Sequence, residues 1–419
     1  MNILKEYEFD SLYEMSSGIS STKDQAGHGA PFVSFGTVFN NYFLPDNLSD
    51  LMDTSVEEQE TYSVKKGDIL VTRTSETIDE LAMSCVALKD YPCATYSGFT
   101  KRLRPMQSDV SYDKYMAFYL RSEWFRKVIT NNAFMTLRAS FNEDIFSFLK
   151  IYLPDYDQQV KIGDFLYCIE KKIQKNKEAD EKLEEIAKLI FEYWCVQYDF
   201  PNTEGKPYKA SSGKMRTGKL IGEELPDDWE EGTLASIITI ETDTVNPSQY
   251  GSELMEHYSI PAFDSRKYPA YEEASTIESN KYAVVKDSIL VSKLNPQFKR
   301  IWNPYCETDK AVCSTEFLVC VPKKSKYRAF CYGVLNSEKY SAFMVTNAIS
   351  STGSRKRIQP DVCLTYKLAI PNEDVIDSFN AVYEPIIEKQ RQLRKENARL
   401  EKLRDWLIPI FMNGQASMR

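Results

Sequence analysis

Residues 66–73 read KGDILVTR and residues 286–293 read KDSILVSK, and what surrounds the two octets is repeated with them. TYSGFTKRLRP (95–105) is answered by VCSTEFLVCVP (312–322), each placing a Phe in a strand-like run that ends at Pro. SEWFRKVI (122–129) is answered by SEKYSAFM (337–344), with aromatics at helical spacing. LRASFNEDIFSFLKIYLP (137–154) faces SRKRIQPDVCLTYKLAIP (354–371), setting Arg138 over Arg355, Asp144 over Asp361 and Pro154 over Pro371. The separations are 220, 218 counted from Phe99 to Phe317, 215 and 217, always in the same order. Unrelated strands would not keep such register, so the chain is a duplicated unit.

After each closing Pro comes a long helical stretch. Leu166, Ile169, Ile173, Asn176, Asp180, Leu183, Ala187, Ile190 and Trp194 follow steps of three and four between about 157 and 195. Phe379, Tyr383, Ile386, Leu393, Leu400, Leu407 and Phe411 make a similar seam between about 373 and 412. Pro385 predicts a kink or the true start of the second helix, and Pro409 its fraying end. Asn176 and Asp180 interrupt the first seam, Gln390 and Asn397 the second; polar seam residues fix register and partner choice. One exposed apolar stripe does not hold a lone helix in water, so the two pack against each other, antiparallel; the alternative is that each packs on its own domain.

The expected fold is therefore α+β. Two similar domains (1–155 and 230–371) are separated by two long antiparallel helices (156–200 and 372–419) forming a coiled-coil spacer. The Gly-, Lys-, Ser- and Pro-rich stretch 201–229 reads as a long surface connection. A length of 419 residues agrees with two or three domains. The start MNILKEYEFD is acidic and polar, unlike a signal peptide, and no apolar run is long enough to span a bilayer, which predicts a cytoplasmic protein.

Nine cysteines without a C-x-x-C pair predict reduced thiols, mostly buried, and no metal site. The two histidines, His28 and His257, are expected in loops. There is no G-x-x-x-x-G-K-[ST] and no G-x-G-x-x-G turn, and NPYC (303–306) lacks the second proline of a base-gripping methyltransferase motif. PDVCLTYK and PDYDQQVK only faintly resemble nuclease spacing and sit at strand-to-helix junctions. The chain is expected to catalyse nothing alone and to bind no cofactor.

A net charge of −9 is not that of a nucleic-acid binder, so any such contact must use local patches. Residues 1–155 hold 15 basic and 22 acidic side chains, residues 201–371 hold 22 and 21. The patches are Lys101, Arg102 and Arg104 in the first repeat, and Lys299, Arg300, Arg355, Lys356 and Arg357 in the second. STGSRKRIQP could lay amides and guanidinium groups on phosphates or guanine edges, or be an ordinary solvated loop. Arg138 in the matching loop favours the first, and Thr72, Arg73 and Lys293 at the duplicated strand ends are candidates of the same kind.

LEEIAKLIFEYWCVQYDFP (183–201), GKPYKASSGKM (205–215), ELPDDWEEGTLASI (224–237) and LEKLRDWLIPIFMNGQ (400–415) resemble, in order, segments of the specificity subunit of type I restriction-modification systems. The resemblance covers essentially the whole chain. It implies double-stranded DNA as ligand, with a target-recognition domain in each half reading one part of a bipartite, asymmetric site. It further implies that the helices set the spacing and dock two methyltransferase subunits, with restriction subunits added for cleavage. S-adenosylmethionine would then sit on the methyltransferase partner, and ATP and Mg on the restriction partner. A helix of roughly 58 Å exceeds one duplex turn of about 34–36 Å, which suits a ruler. A coiled-coil scaffold that organises proteins without touching DNA is the rival reading.

Overall fold

The computed structural model describes residues 4–75, 80–132, 139–350 and 355–418. The chain forms two compact units, Met1–Ile173 with Leu400–Arg419, and Gln174–Arg399.

In the first unit, strands Tyr13–Ser17, Thr100–Pro105, Ile69–Thr72 and Ser84–Val86 lie side by side in that order. In the second, Ile238–Glu241, Phe317–Pro322, Ile289–Ser292 and Ile301–Trp302 do the same. The octet supplies the central strand of each sheet. Ile69 and Val71 face one core, with Phe118, Ile151 and Leu166, while Leu70 faces another, with Cys85 and Tyr96. Burial on both faces explains an unbroken apolar run where a half-exposed strand would alternate. The letters before the run encode a turn: Asp68 N–H donates to Lys65 O and Ser288 N–H to Val285 O, both at 3.1 Å. The third turn position has φ +87° at Gly67 and +65° at Asp287, the left-handed region that this turn demands.

The duplication reaches further back than the octets. Lys5–Glu8 pairs antiparallel with Lys150–Leu153 as Glu230–Thr233 pairs with Lys367–Ile370. Phe32 lies parallel to Thr95 as His257 lies parallel to Val312. One alignment is corrected by hydrogen bonds. Arg73 N–H donates to Phe99 O and Lys293 N–H to Glu316 O, so Phe99 corresponds to Glu316 and Thr100 to Phe317. The two Phe residues are one position out of step, which at strand periodicity means opposite faces.

The long helices span Tyr156–Phe191, followed by a π-helical turn Glu192–Val196, and Glu373–Met412. Within the second unit they run antiparallel: Asn176 Nδ2 donates to Asn397 Oδ1 at 2.9 Å, and Arg394 Nε to Asp180 Oδ2 at 2.8 Å. Within the first, Arg404 Nη1 donates to Glu170 Oε2 at 2.6 Å, and Phe165 meets Phe411 edge-on. Leu166, Ile169, Ile173, Asn176 and Leu393 are buried. Leu183, Ile190, Ile386, Leu400 and Leu407 are only half-buried, and Phe191, Ile387 and Ile408 take the inward positions. A helix turning every 3.6 residues drifts off a strict 3.5-residue seam by about 20° per heptad, enough to pass the inward position to a neighbour.

The second helix does not break at Pro385 or begin there. Pro385 and Ala381, whose carbonyl loses its donor, both face solvent, where water can satisfy the free oxygen. Pro409 lies inside the last turn, its carbonyl accepting from Asn413 N–H at 3.1 Å. Nor is 201–229 a bare surface connection. Phe200 stacks between Tyr208 and Trp229, Trp229 is 1 % exposed, and Met215–Thr217 pairs with Glu224–Pro226. All nine cysteines are free thiols, five of them buried. His28 and His257 lie on strands, not in loops.

Candidate nucleic-acid interface

Each central strand ends at an exposed or half-exposed cation, Arg73 or Lys293, held on both sides by backbone bonds. In the first unit Arg73 N–H donates to Phe99 O at 2.8 Å and Phe141 N–H to Arg73 O at 2.8 Å. In the second Lys293 N–H donates to Glu316 O at 2.9 Å and Ile358 N–H to Lys293 O at 3.2 Å. One residue on, Thr74 pairs with Ser140 and Leu294 with Arg357. The strand end, the turn before Thr100 or Phe317 and the segment before Phe141 or Ile358 thus converge in the same frame in both units. The frame is common, and the side chains on it differ.

In the second unit the frame carries Lys293, Arg355, Lys356 and Arg357. Arg355 and Lys356 are exposed. Arg357 lies on Glu316 through contacts of 2.7, 3.1 and 3.2 Å, which hold the Glu316 carboxyl below its ordinary range. Asn295 fixes the segment from the other side, its Oδ1 accepting from Lys356 N–H at 2.9 Å. In the first unit the frame carries Arg73 and, at the turn, Phe99, which is 64 % exposed. Arg138 lies outside the described residues.

Several sequence candidates are withdrawn by burial or by partners. Thr72 is fully buried; its Oγ1 accepts from Met83 N–H at 2.9 Å and donates to Glu80 O at 3.2 Å, closing the loop between them. Lys101 is buried, its Nζ on Ser17 Oγ at 2.8 Å, and desolvation followed by repulsion from Arg73 lowers its affinity for a proton. Arg102 is buried under Tyr96 and donates to Ser63 O at 2.7 Å. Arg104 grips the buried Asp68 carboxylate at 2.6 and 2.8 Å. Arg300 holds Asp264 at 2.7 and 2.8 Å, and Lys299 sits on Glu338 at 3.1 Å. In these cases a cation in the sequence is a brace in the fold, because a long charged side chain drawn out of water must find an oxygen acceptor.

Two residues of the frame were not singled out from the sequence, Phe99 and Glu316. The signal was the repeat itself, read one position differently at TYSGFTK and CSTEFLV. Among the described residues no group of three or more His, Cys, Asp or Glu is placed to hold a metal ion, and no helix is long and apolar enough to cross a membrane.

Residues 7–185 match the type I restriction modification DNA specificity domain. The chain is 22% identical to the HindI type I restriction enzyme specificity subunit of Haemophilus influenzae, over 99% of this chain and 100% of that protein. It is equally 22% identical to the MjaIX specificity subunit of Methanocaldococcus jannaschii, over 96% of this chain and 90% of that one. The crystal structure of a type I restriction-modification S subunit from M. genitalium shares the fold, with a TM-score of 0.61 at 14% identity over 98% of this chain and 96% of that one. The match to the domain model ends at residue 185, but the second unit repeats the four-stranded sheet of the first and its closing antiparallel pair. Residues 7–185 thus carry a type I restriction modification DNA specificity domain, and over nearly its whole length the chain is similar to the specificity subunits of type I restriction enzymes.

Proposed function

We propose that each unit reads one half of a bipartite, asymmetric DNA site through its strand-end surface, so that the chain gives a modification complex its sequence specificity. The observation that carries this is one backbone frame presenting two different sets of side chains. Identical frames suit equivalent approaches to two half-sites, and unlike side chains make those half-sites unlike, so the site is not a palindrome. Arg73, Lys293, Arg355 and Lys356 then supply phosphate or base contacts. The acidic total leaves much of the phosphate neutralisation to partner subunits.

The same duplication supports two docking places for a methyltransferase partner. Ile186 and Leu189 in the second unit, 45 % and 67 % exposed, recur 217 residues later as Leu403 and Trp406 in the first, 42 % and 63 % exposed. Repeated solvent-facing apolar pairs on charged helices suit a partner present in two copies. On this reading S-adenosylmethionine belongs to that partner, ATP and Mg to a restriction subunit where one joins, and this chain catalyses nothing alone.

The test is to map methylated adenines in cells carrying the system with wild-type chain or with Arg355→Ala and Lys356→Ala together. Relaxed or lost recognition in one half-site, with the other kept, is the expected result. An unchanged motif would return the chain to the role of protein scaffold.

A further inference from the structure

The turn entering Thr100–Pro105 is held unusually firmly for a surface loop. Thr100 N–H and Oγ1 both donate to Ser97 O, at 2.9 and 2.7 Å, and Phe99 N–H donates to Ser97 Oγ at 3.2 Å. Gly98 N–H donates to Ile19 O at 2.7 Å, and a Cβ on Gly98 would stand 2.8 Å from that same oxygen. The backbone under Phe99 is therefore fixed, while its ring is left in water with no aromatic partner among the described residues. In the second unit the corresponding turn repeats the bond from the tip, Glu316 N–H to Ser314 Oγ at 3.3 Å, but carries a carboxylate in place of the ring. Position 357, across from that tip, is Arg where the first unit has Ser140.

We propose that this turn tip, with the position across from it, is the specificity-determining element of each unit. Phe99 reads a thymine in the first half-site, and Arg357, oriented by Glu316, reads a guanine in the second. The inference rests on the proposed function above. Its chemistry follows from what base edges offer in the major groove. An aromatic ring without donor or acceptor discriminates only by contact with the one apolar group there, the thymine methyl. A guanidinium fixed by a carboxylate on one side keeps further N–H groups free, and its fork matches guanine O6 and N7. Glu316 is a positioning residue: it holds the plane of Arg357 and need not touch DNA.

The assembled complex is titrated with duplexes carrying the methylated motif read from cells. In one duplex each thymine of the first half-site is replaced in turn by deoxyuridine; in another each guanine of the second half-site by 7-deazaguanine. At one thymine position the wild type should bind about fourfold more weakly without the methyl, the worth of one buried carbon. Phe99→Ala should be indifferent to that change. At one guanine position loss of N7 should cost the wild type about tenfold, and Arg357→Ala nothing further. Glu316→Ala should lose the guanine preference with its melting temperature unchanged, and Glu316→Gln, which can still accept from Arg357, should recover part of it. No sensitivity to either modified base would overturn the proposal. Arg73→Ala and Arg355→Ala separate the two levels: weakened binding in these with Phe99→Ala and Arg357→Ala silent leaves DNA reading intact and removes only the tip. If none of the four affects binding, the reading function itself is wrong.

Discussion

Trp406→Ala and Leu189→Ala should each cost the complex one partner subunit while leaving the other bound. A Trp side chain presents roughly 250 Å², and at 63 % exposure about 150 Å² of Trp406 is left for a partner to cover. At about 25 cal/mol per Å² that is at most about 4 kcal/mol. Ordering costs and imperfect coverage bring the expected loss to about 2–3 kcal/mol, or roughly 30- to 150-fold in Kd. Leu189 exposes 67 % of a smaller side chain, so about 1–2 kcal/mol, near tenfold, is expected there. Neither change touches a core, so the melting temperature of the chain should not move. Native mass spectrometry of the chain titrated with purified methyltransferase subunit reads the outcome as a fall from two copies to one in each single variant, and to none in the double. Two copies retained at low partner concentration in both single variants would refute the docking surfaces, as would simultaneous loss of both copies from one substitution.

Arg394→Met should destabilise the second unit by about 3–5 kcal/mol by stranding Asp180, and adding Asp180→Leu should return most of it; denaturant unfolding of the four variants gives the cycle. In Gly333→Ala a Cβ would stand 2.2 Å from the Phe191 ring, so a loss of about 1–3 kcal/mol is expected, read as faster hydrogen exchange in Arg328–Leu335. Glu231 accepts from the backbone N–H groups of Ile221, Lys219 and Leu220 and from Arg216, which brings its pKa down to about 2. A depressed folded-state value means that its contribution is present above the ordinary 4.5 and lost as the pH falls towards 2. Exchange at Lys219–Ile221 should therefore accelerate over that window in the wild type and be already fast, and flat, in Glu231→Gln.

The repeat, the central strands and the long helices were legible because each is written in local periodicity. An ILV run buried on both faces, or an apolar step of three and four, leaves the same mark wherever the element packs. The reading surface was not, because its logic is in tertiary pairing. Arg104 and Arg300 look like free cations until Asp68 and Asp264 are brought 36 residues along the chain to meet them. Phe99 was visible as a letter but matched to Phe317, since chemistry aligned two rings where backbone bonds align a ring with a carboxylate. Pro385 misled for a related reason: its cost depends on whether the orphaned carbonyl meets water, and that is a property of the face, not of the residue.

The core of the first unit contains Ile408, Phe411 and Met412 beside Ile151, Ile162 and Leu166. During synthesis the earlier members of that cluster leave the ribosome long before the later ones, with all of Gln174–Arg399 translated in between. At about 5–20 residues per second the nascent unit waits on the order of ten seconds or more with an open apolar face. The domain begun first is thus the one finished last, so nascent-chain chaperones have a defined client surface, and a ribosome stalled anywhere in the second half leaves a first half that cannot close.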